Sequence, residues 1–275
     1  LRAHETREDM DIGVLGEGEE TILEIVKAYK NGELDLKKVL GICFSNDEGH
    51  VVINDRRPRK RELDDIVWPA WDLLPIENYL ERGYGFGVNR GRSMPVMASR
   101  GCPYQCTFCS NPLMWTTRWI PRDPDLLLDE MQYYQDKYRA ENFDFYDLTA
   151  IVKKSWIIDF CKKIEDRGMK FTWQLPSGTR TEAIDDEVAR LLYQSGCRNM
   201  SYSPESGSPS VLKRIKKKIK TDSVVSSIAA AYQNGMNIKC NIIFGFPGEN
   251  IKEIFQSYRF IVGMAYAGAY DILSL

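Results

Sequence analysis

No apolar run in this sequence approaches the length needed to cross a bilayer, so a transmembrane helix is not expected. The first residues, Leu1-Arg2-Ala3-His4-Glu5-Thr6-Arg7-Glu8-Asp9, are charged and lack the apolar stretch of a secretion signal. Charge of one sign is not in excess: 37 Lys and Arg stand against 39 Asp and Glu, a net charge of -2. No global field therefore draws the chain to nucleic acid or anionic lipid. Internal repeats and low-complexity tracts are missing. The seven cysteines are an odd number with three crowded together, not the even, spread-out set of a secreted disulfide framework. These absences leave a cytoplasmic protein, in a reducing compartment, as the simplest reading.

What is present is an ordinary globular balance, 43% hydrophobic and 28% charged over 275 residues, enough for one large α/β domain with an appendage. From Met94 onward the pattern alternates. Strands are expected at 95–99, 142–147, 171–175, 198–203, 238–244 and 271–275. Helices are expected at 124–138, 154–167, 183–195, 221–234 and 250–264. Gly168, Gly196, Gly235 and Gly268 each close a helix. Strand–helix alternation of this kind predicts an α/β fold with parallel strands, a partial (β/α)6 TIM-like barrel over 94–275. Ahead of it, 1–40 reads as a strand–turn–helix unit too small to fold alone. Residues 41–93 read as a linker with a β-hairpin, whose prolines at 69 and 75 break any helix. Leu1 in place of Met, and a strand just beginning at the last residues, read as a piece of a longer protein.

The first barrel strand leads into Arg100-Gly101-Cys102-Pro103-Tyr104-Gln105-Cys106-Thr107-Phe108-Cys109, a C-x3-C-x2-C spacing. Parallel sheets place their chemistry at the C-terminal ends of strands. Thiolates ligate iron–sulfur clusters, usually four to a cluster. Three leave one iron open, and an open coordination position marks catalytic metal sites in general. The plainer readings are weaker. A structural zinc site would need a fourth ligand from His4, His50 or a distant cysteine, and neither histidine has a metal-binding spacing. Cys43, Cys161, Cys197 and Cys240 lie in apolar strand or helix contexts and read as core residues.

The C-x3-C-x-aromatic-C loop, with Phe108 as the aromatic, resembles the signature of the radical S-adenosylmethionine (SAM) superfamily, and the resemblance extends over 94–275. Leu15-Gly16-Glu17-Gly18-Glu19-Glu20-Thr21, Trp68-Pro69-Ala70-Trp71-Asp72-Leu73-Leu74-Pro75 and Ser99-Arg100-Gly101-Cys102-Pro103 are similar to the class with an N-terminal cobalamin-binding domain. Residues 1–40 would then be the C-terminal remnant of that Rossmann-like domain. The resemblance implies a [4Fe–4S] cluster on Cys102, Cys106 and Cys109, whose open iron takes the amino and carboxylate groups of SAM. It implies that the Phe108 backbone contacts the adenine. Where many members carry Gly-Gly-Glu after the second strand, this chain has Asp144-Phe145-Tyr146-Asp147-Leu148-Thr149, so Asp147 takes the place of the amino-group acceptor. Glu205 would accept from the ribose hydroxyls, with Ser203 nearby. Gly245, in Gly245-Phe246-Pro247-Gly248-Glu249, would line the adenine side. Arg180, after the third strand, reads equally as a cavity residue or a loop-pinning one.

The activity so implied is oxygen-sensitive one-electron cleavage of SAM to methionine and a 5′-deoxyadenosyl radical, which abstracts hydrogen from a small-molecule substrate. Cobalamin-linked methyl transfer or ring closure would follow. A flavodoxin or ferredoxin would supply the electron. Cobalamin belongs to the full-length parent, since neither histidine stands in an Asp-x-His-x-x-Gly loop. One rival is an RNA methylthiotransferase, with the basic runs Arg56–Arg61 and Lys213–Lys220 on phosphate; no second cysteine set for an auxiliary cluster accompanies them, and solvated faces explain both. The other rival is a non-enzymatic electron-transfer module, which needs neither Glu205 nor the 245–249 turn.

Overall fold

The computed structural model describes residues 10–274, so His4 and the charged first residues lie outside the described part. The chain begins with strand β1 (Ile12–Val14) and helix α1 (Glu19–Lys30), followed by a hairpin of β2 (Ile42–Ser45) and β3 (Val51–Ile53). β1 pairs antiparallel with β2, Gly13 opposite Cys43. Ile25 of α1 packs with Val39, Ile42 and Phe44. The expected division at residue 40 therefore falls inside one three-stranded sheet. One strand and a helix have too little apolar surface to stand alone, and the hairpin supplies the missing face. The linker region also holds a helix, α2 (Ile76–Arg82), starting directly after Pro75. Proline ends what precedes it, but it is well placed at a helix start.

The barrel begins with β4 (Ser93–Val96). It continues through the short β5 (Ser99–Arg100), α3 (Asn111–Met114) and β6 (Ile120–Pro121) to α4 (Pro124–Tyr138), β7 (Asn142–Phe145) and α5 (Lys154–Asp166). Next come β8 (Thr172–Thr179), α6 (Asp186–Gln194), β9 (Cys197–Glu205), α7 (Pro209–Arg214) and α8 (Thr221–Gln233). β10 (Asn237–Ile242), α9 (Ile251–Tyr266) and β11 (Ala269–Ser274) complete it. The sheet order is β11-β10-β9-β8-β7-β4, and every adjacent pair is parallel. Neighbours in space are neighbours in sequence with no reversal. Right-handed crossovers then put all the helices on one face, the winding of a partial barrel and not of a doubly wound sheet. Among the described residues, none of the helices is long and apolar enough to cross a membrane.

The helix boundaries have local causes. Asp123 caps α4 by accepting from Asp125 N–H, with Pro124 in the first turn. α6 starts at Asp186, three residues later than its apolar spacing implies, because Asp185 accepts from Val188 N–H and fixes the start there. Asn250 and Glu253 form a reciprocal capping box on α9. Between helices and sheet lies one core in which Phe143, Phe145, Phe160, Trp173 and Tyr202 are almost fully buried. Each such side chain contributes about 2–3 kcal/mol of burial.

Strand alternation points Asp144, Gln174 and Asn199 to the opposite, concave face. A strap over residues 84–92 lies against that face. Gly87 N–H donates to Asp144 Oδ2 at 3.3 Å, Val88 N–H to Gln174 Oε1 at 3.1 Å, and Arg90 Nε to Asn199 Oδ1 at 2.6 Å. A Cβ on Gly87 would stand 2.2 Å from Gln174 Nε2, so a side chain there would displace the amide that bonds the strap. The sequence reading took this segment for linker.

Candidate active site

The sulfur-bearing loop leaves the C-terminal end of β4 and is held from several sides. Gly101 turns it with φ +84, and a Cβ there would stand 2.3 Å from the Arg118 carbonyl oxygen. Asn111 Nδ2 donates to the Cys102 and Thr116 carbonyls at 2.9 and 3.1 Å. Thr107 N–H donates to the Ile215 carbonyl at 3.0 Å, stitching the loop to the segment after α7. Arg59 Nη1 donates to the carbonyls of Trp115 and Arg118. Arg100 pairs with Glu17 and Glu19 of the N-terminal unit.

Cys102 and Cys106 are half-buried and Cys109 is exposed, whereas Cys161, Cys197 and Cys240 are buried as expected; Cys43 is only half-buried. Burial pushes the Cys102 and Cys106 thiols up, while Arg180 pulls on both and Lys217 on Cys106. Cys102 also feels Cys106 and Cys109, and Cys106 feels Cys109. Among the described residues no three His, Cys, Asp or Glu side chains are gathered to hold a metal ion. A four-iron cubane is larger than an ion and takes thiolates spread along a loop. The donor set fits such a cluster: three thiols on one loop, half-open to solvent, facing two cations.

Glu205 ends β9 with φ +69, an uncommon conformation for a residue with a side chain. It is buried, and its Oε1 lies 3.0 Å from Lys217 Nζ. Burial raises its pKa and Lys217 opposes the rise. Lys217 Nζ also sits 5.9 Å from the centre of the Phe108 ring, which is half-exposed and packs 5.9 Å from Phe246. Ser203 Oγ accepts from Asn241 Nδ2 at 3.1 Å. The Gly245 and Phe246 N–H groups donate to Glu249 Oε2 at 2.6 and 3.2 Å, leaving open space on the Cα side of Gly245. Glu249 Oε1 is buried without a protein partner, an acceptor available to a ligand. Cys102, Cys106, Phe108, Glu205 and Gly245 are thus linked around one rim through Lys217, Phe246 and the 206–220 segment.

Asp147 stands apart from that rim. It is 1% exposed, and its oxygens accept from Ala98 N–H at 3.0 Å and Ser99 Oγ–H at 2.5 Å. Burial raises its pKa to about 6 against the pull of those donors. In this arrangement the carboxylate braces the base of the cysteine loop.

Lys217 was missed, because a lysine inside Lys213–Lys220 reads like any solvated cation until Glu205 is seen beside it. Asn241 was missed because one polar residue in a strand carries no signal. Arg59 was missed within Arg56–Arg61, where Arg57 pairs with Glu24, Lys60 with Glu20 and Arg59 with Glu17. These three cations are engaged by protein carboxylates and carbonyls, while Arg56 and Arg61 of the same run stay exposed, so most of the run is not a free phosphate surface.

The family model described as Radical SAM superfamily matches residues 96–261. The chain is 32% identical over 251 residues to an uncharacterized methyltransferase of Pyrococcus horikoshii, covering 91% of this chain and 52% of that protein. It is 28% identical to the cytidylyl-2-hydroxyethylphosphonate methyltransferase of Streptomyces wedmorensis, covering 95% and 54%. The chain therefore spans about half the length of these curated relatives. Among solved structures, the radical SAM methyltransferase TsrM of Kitasatospora setae, with tryptophan and a SAM analogue bound, superposes with a TM-score of 0.78 at 17% identity, covering 96% of this chain and 51% of that one. The same enzyme with cobalamin and a [4Fe–4S] cluster bound gives a TM-score of 0.72. At these identities the likeness establishes the fold.

Proposed function

The chain belongs to the Radical SAM superfamily, and from that premise we propose that Cys102, Cys106 and Cys109 hold its [4Fe–4S] cluster and that the whole protein is a cobalamin-linked methyltransferase acting on a small molecule. The observation that carries the reading is the three-thiol loop at the end of β4, braced from beneath by Asp147 and flanked by cations. The reduced cluster, when bound, supplies the electron that breaks a C–S bond of SAM and yields methionine and a 5′-deoxyadenosyl radical. The electron comes from a low-potential flavodoxin or ferredoxin.

The chain's own residues prepare that event. Glu205, desolvated and already charge-paired, offers acceptor oxygens to the ribose hydroxyls, and Ser203 lies two residues before it on β9. The open side of Gly245 admits the flat adenine, with the Phe108 backbone on its other flank. Asp147, buried and bonded to Ala98 and Ser99 at the root of the loop, serves the cofactor by holding the loop in place. Methyl transfer is supported by the two curated methyltransferases, one named for a phosphonate substrate.

Anaerobic reconstitution with iron and sulfide, then EPR of the reduced protein with and without SAM, tests the reading. A [4Fe–4S] signal that shifts on adding SAM is expected, with 5′-deoxyadenosine formed on turnover. A cluster signal indifferent to SAM returns the protein to an electron carrier, and zinc in place of iron ends the proposal. In the full-length protein, a product closed into a ring without a gained methyl would replace methyl transfer by cyclisation.

A further inference from the structure

The two residues that separate the three cysteines most prominently are aromatic: Tyr104 between Cys102 and Cys106, and Phe108 between Cys106 and Cys109. Each ring carries a cation. The Arg180 guanidinium lies 3.6 Å from the centre of the Tyr104 ring, and Lys217 Nζ lies 5.9 Å from that of Phe108. Neither cation is a loose surface charge. The Arg180 and Lys217 side chains are 9% and 11% exposed. Arg180 is fixed by Glu182 and by the Lys218 carbonyl, and Lys217 by Glu205. The same stretch, Ile215 to Lys218, thus bonds to the cysteine loop at Thr107, supplies one cation and anchors the other.

We propose that Arg180 and Lys217 are a pair of cations seated on the cysteine loop's two rings, and that their charge favours the electron-rich, one-electron-reduced state of the cluster. This rests on the reading given under Proposed function. The reasoning is electrostatic. Adding one electron from an external low-potential donor to a cluster on three thiolates increases negative charge in a half-buried place. A fixed positive charge beside the loop stabilises the product of that step more than the starting state, and poor solvation there strengthens the effect. Of the two charges in each ion pair, it is the cation that rests on a ring of the cysteine loop, Arg180 3.6 Å from the centre of Tyr104 and Lys217 5.9 Å from that of Phe108. The rings contribute by holding each cation over the loop without adding a counter-charge of their own.

The test is a mediated redox titration, followed by EPR without SAM, on reconstituted wild type, Lys217→Gln, Arg180→Gln, Lys217→Arg and Arg180→Lys. Each glutamine variant is expected to be about tenfold harder to reduce, a midpoint lower by about 59 mV for a one-electron couple, while the charge-keeping variants stay near wild type. Because the titration reads oxidised against reduced cluster, incomplete loading does not obscure it. Unchanged midpoints in both glutamine variants, with only SAM affinity altered, would overturn the proposal and make the cations simple cofactor contacts. An equal drop in the charge-keeping variants, or failure of all four to take up iron, assigns the pair to packing and overturns it too. A wild type that forms no cluster strikes the functional reading first, before any variant is measured, and this inference falls with it.

Discussion

Two basic runs in this chain look alike as sequence and do different things. In Arg56–Arg61 three of the charges, Arg57, Arg59 and Lys60, turn back on the protein. Arg57 donates to Thr21 Oγ1 at 2.9 Å and pairs with Glu24, Lys60 N–H donates to Glu17 Oε2 at 2.8 Å, and Arg59 closes two carbonyls of the cysteine loop's far end. That run rivets the small antiparallel sheet to the barrel. In Lys213–Lys220, Arg214 holds Glu253 on α9 at 2.8 and 3.1 Å, and Lys217 reaches Glu205 at the rim of the site. Composition is shared; the difference lies in which carboxylates and carbonyls the fold brings within reach, and those come from 33 to 59 residues away for the first run and from 12 to 39 for the second.

The first run should therefore be felt in stability and the second at the site. Arg59→Ala is expected to have the largest effect. It strips a side chain that is 14% exposed from two carbonyls and from Glu17, and a loss of about 3–4 kcal/mol should appear in urea unfolding. A loss under about 1 kcal/mol would show that the run only decorates the surface.

Asp147 sharpens the contrast, as a buried carboxylate that has hydrogen-bond donors and no cation. Its folded pKa, about 6, lies above the ordinary 3.8. Between those values the folded chain keeps a proton that the unfolded chain has lost, so this group's contribution to stability falls as pH rises from about 4 to 6. An amide keeps an acceptor for Ala98 N–H and a partner for Ser99. Asp147→Asn should gain on wild type through that window by up to about 3 kcal/mol and then level off. Paired melts from pH 4 to 8 read it, and a flat difference would mean that the carboxylate is ionised throughout.

The smallest effect belongs to Arg214→Ala. Its side chain is 40% exposed, and Glu253, though only 8% exposed, keeps the Ser210 hydroxyl and the Asn250 N–H as donors without it, so the loss is expected to stay at about 1 kcal/mol. A larger loss in thermal unfolding would make the second run a rivet as well.

The barrel was legible because its signals are local. The apolar spacing of α4 falls on Leu127, Leu128, Met131, Tyr134 and Tyr138, all buried, and that helix has the bounds its pattern gives. The C-x3-C-x2-C loop carries its identity in eight consecutive residues. What was not legible depends on partners remote in the chain: the pairing of β1 with β2, the burial of Asp147 beneath the loop, and the inward turn of Lys217. The strap over 84–92, part of what reads as linker, was invisible for the same reason, since the Asp144 and Gln174 against which Gly85 and Gly87 lie are remote in the chain.

That strap also bears on how the chain comes together in time. Residues 87, 88 and 90 bond to side chains 57, 86 and 109 positions later, on β7, β8 and β9. During synthesis the strap emerges before any of the walls it lines, and it can settle only as each later strand is laid down. Pairings of such long sequence separation are slow to form, because loop closure must be completed before they repay it. The concave face is thus among the last surfaces to reach its final form, and a chain halted before β9 leaves Arg90 without its Asn199 partner.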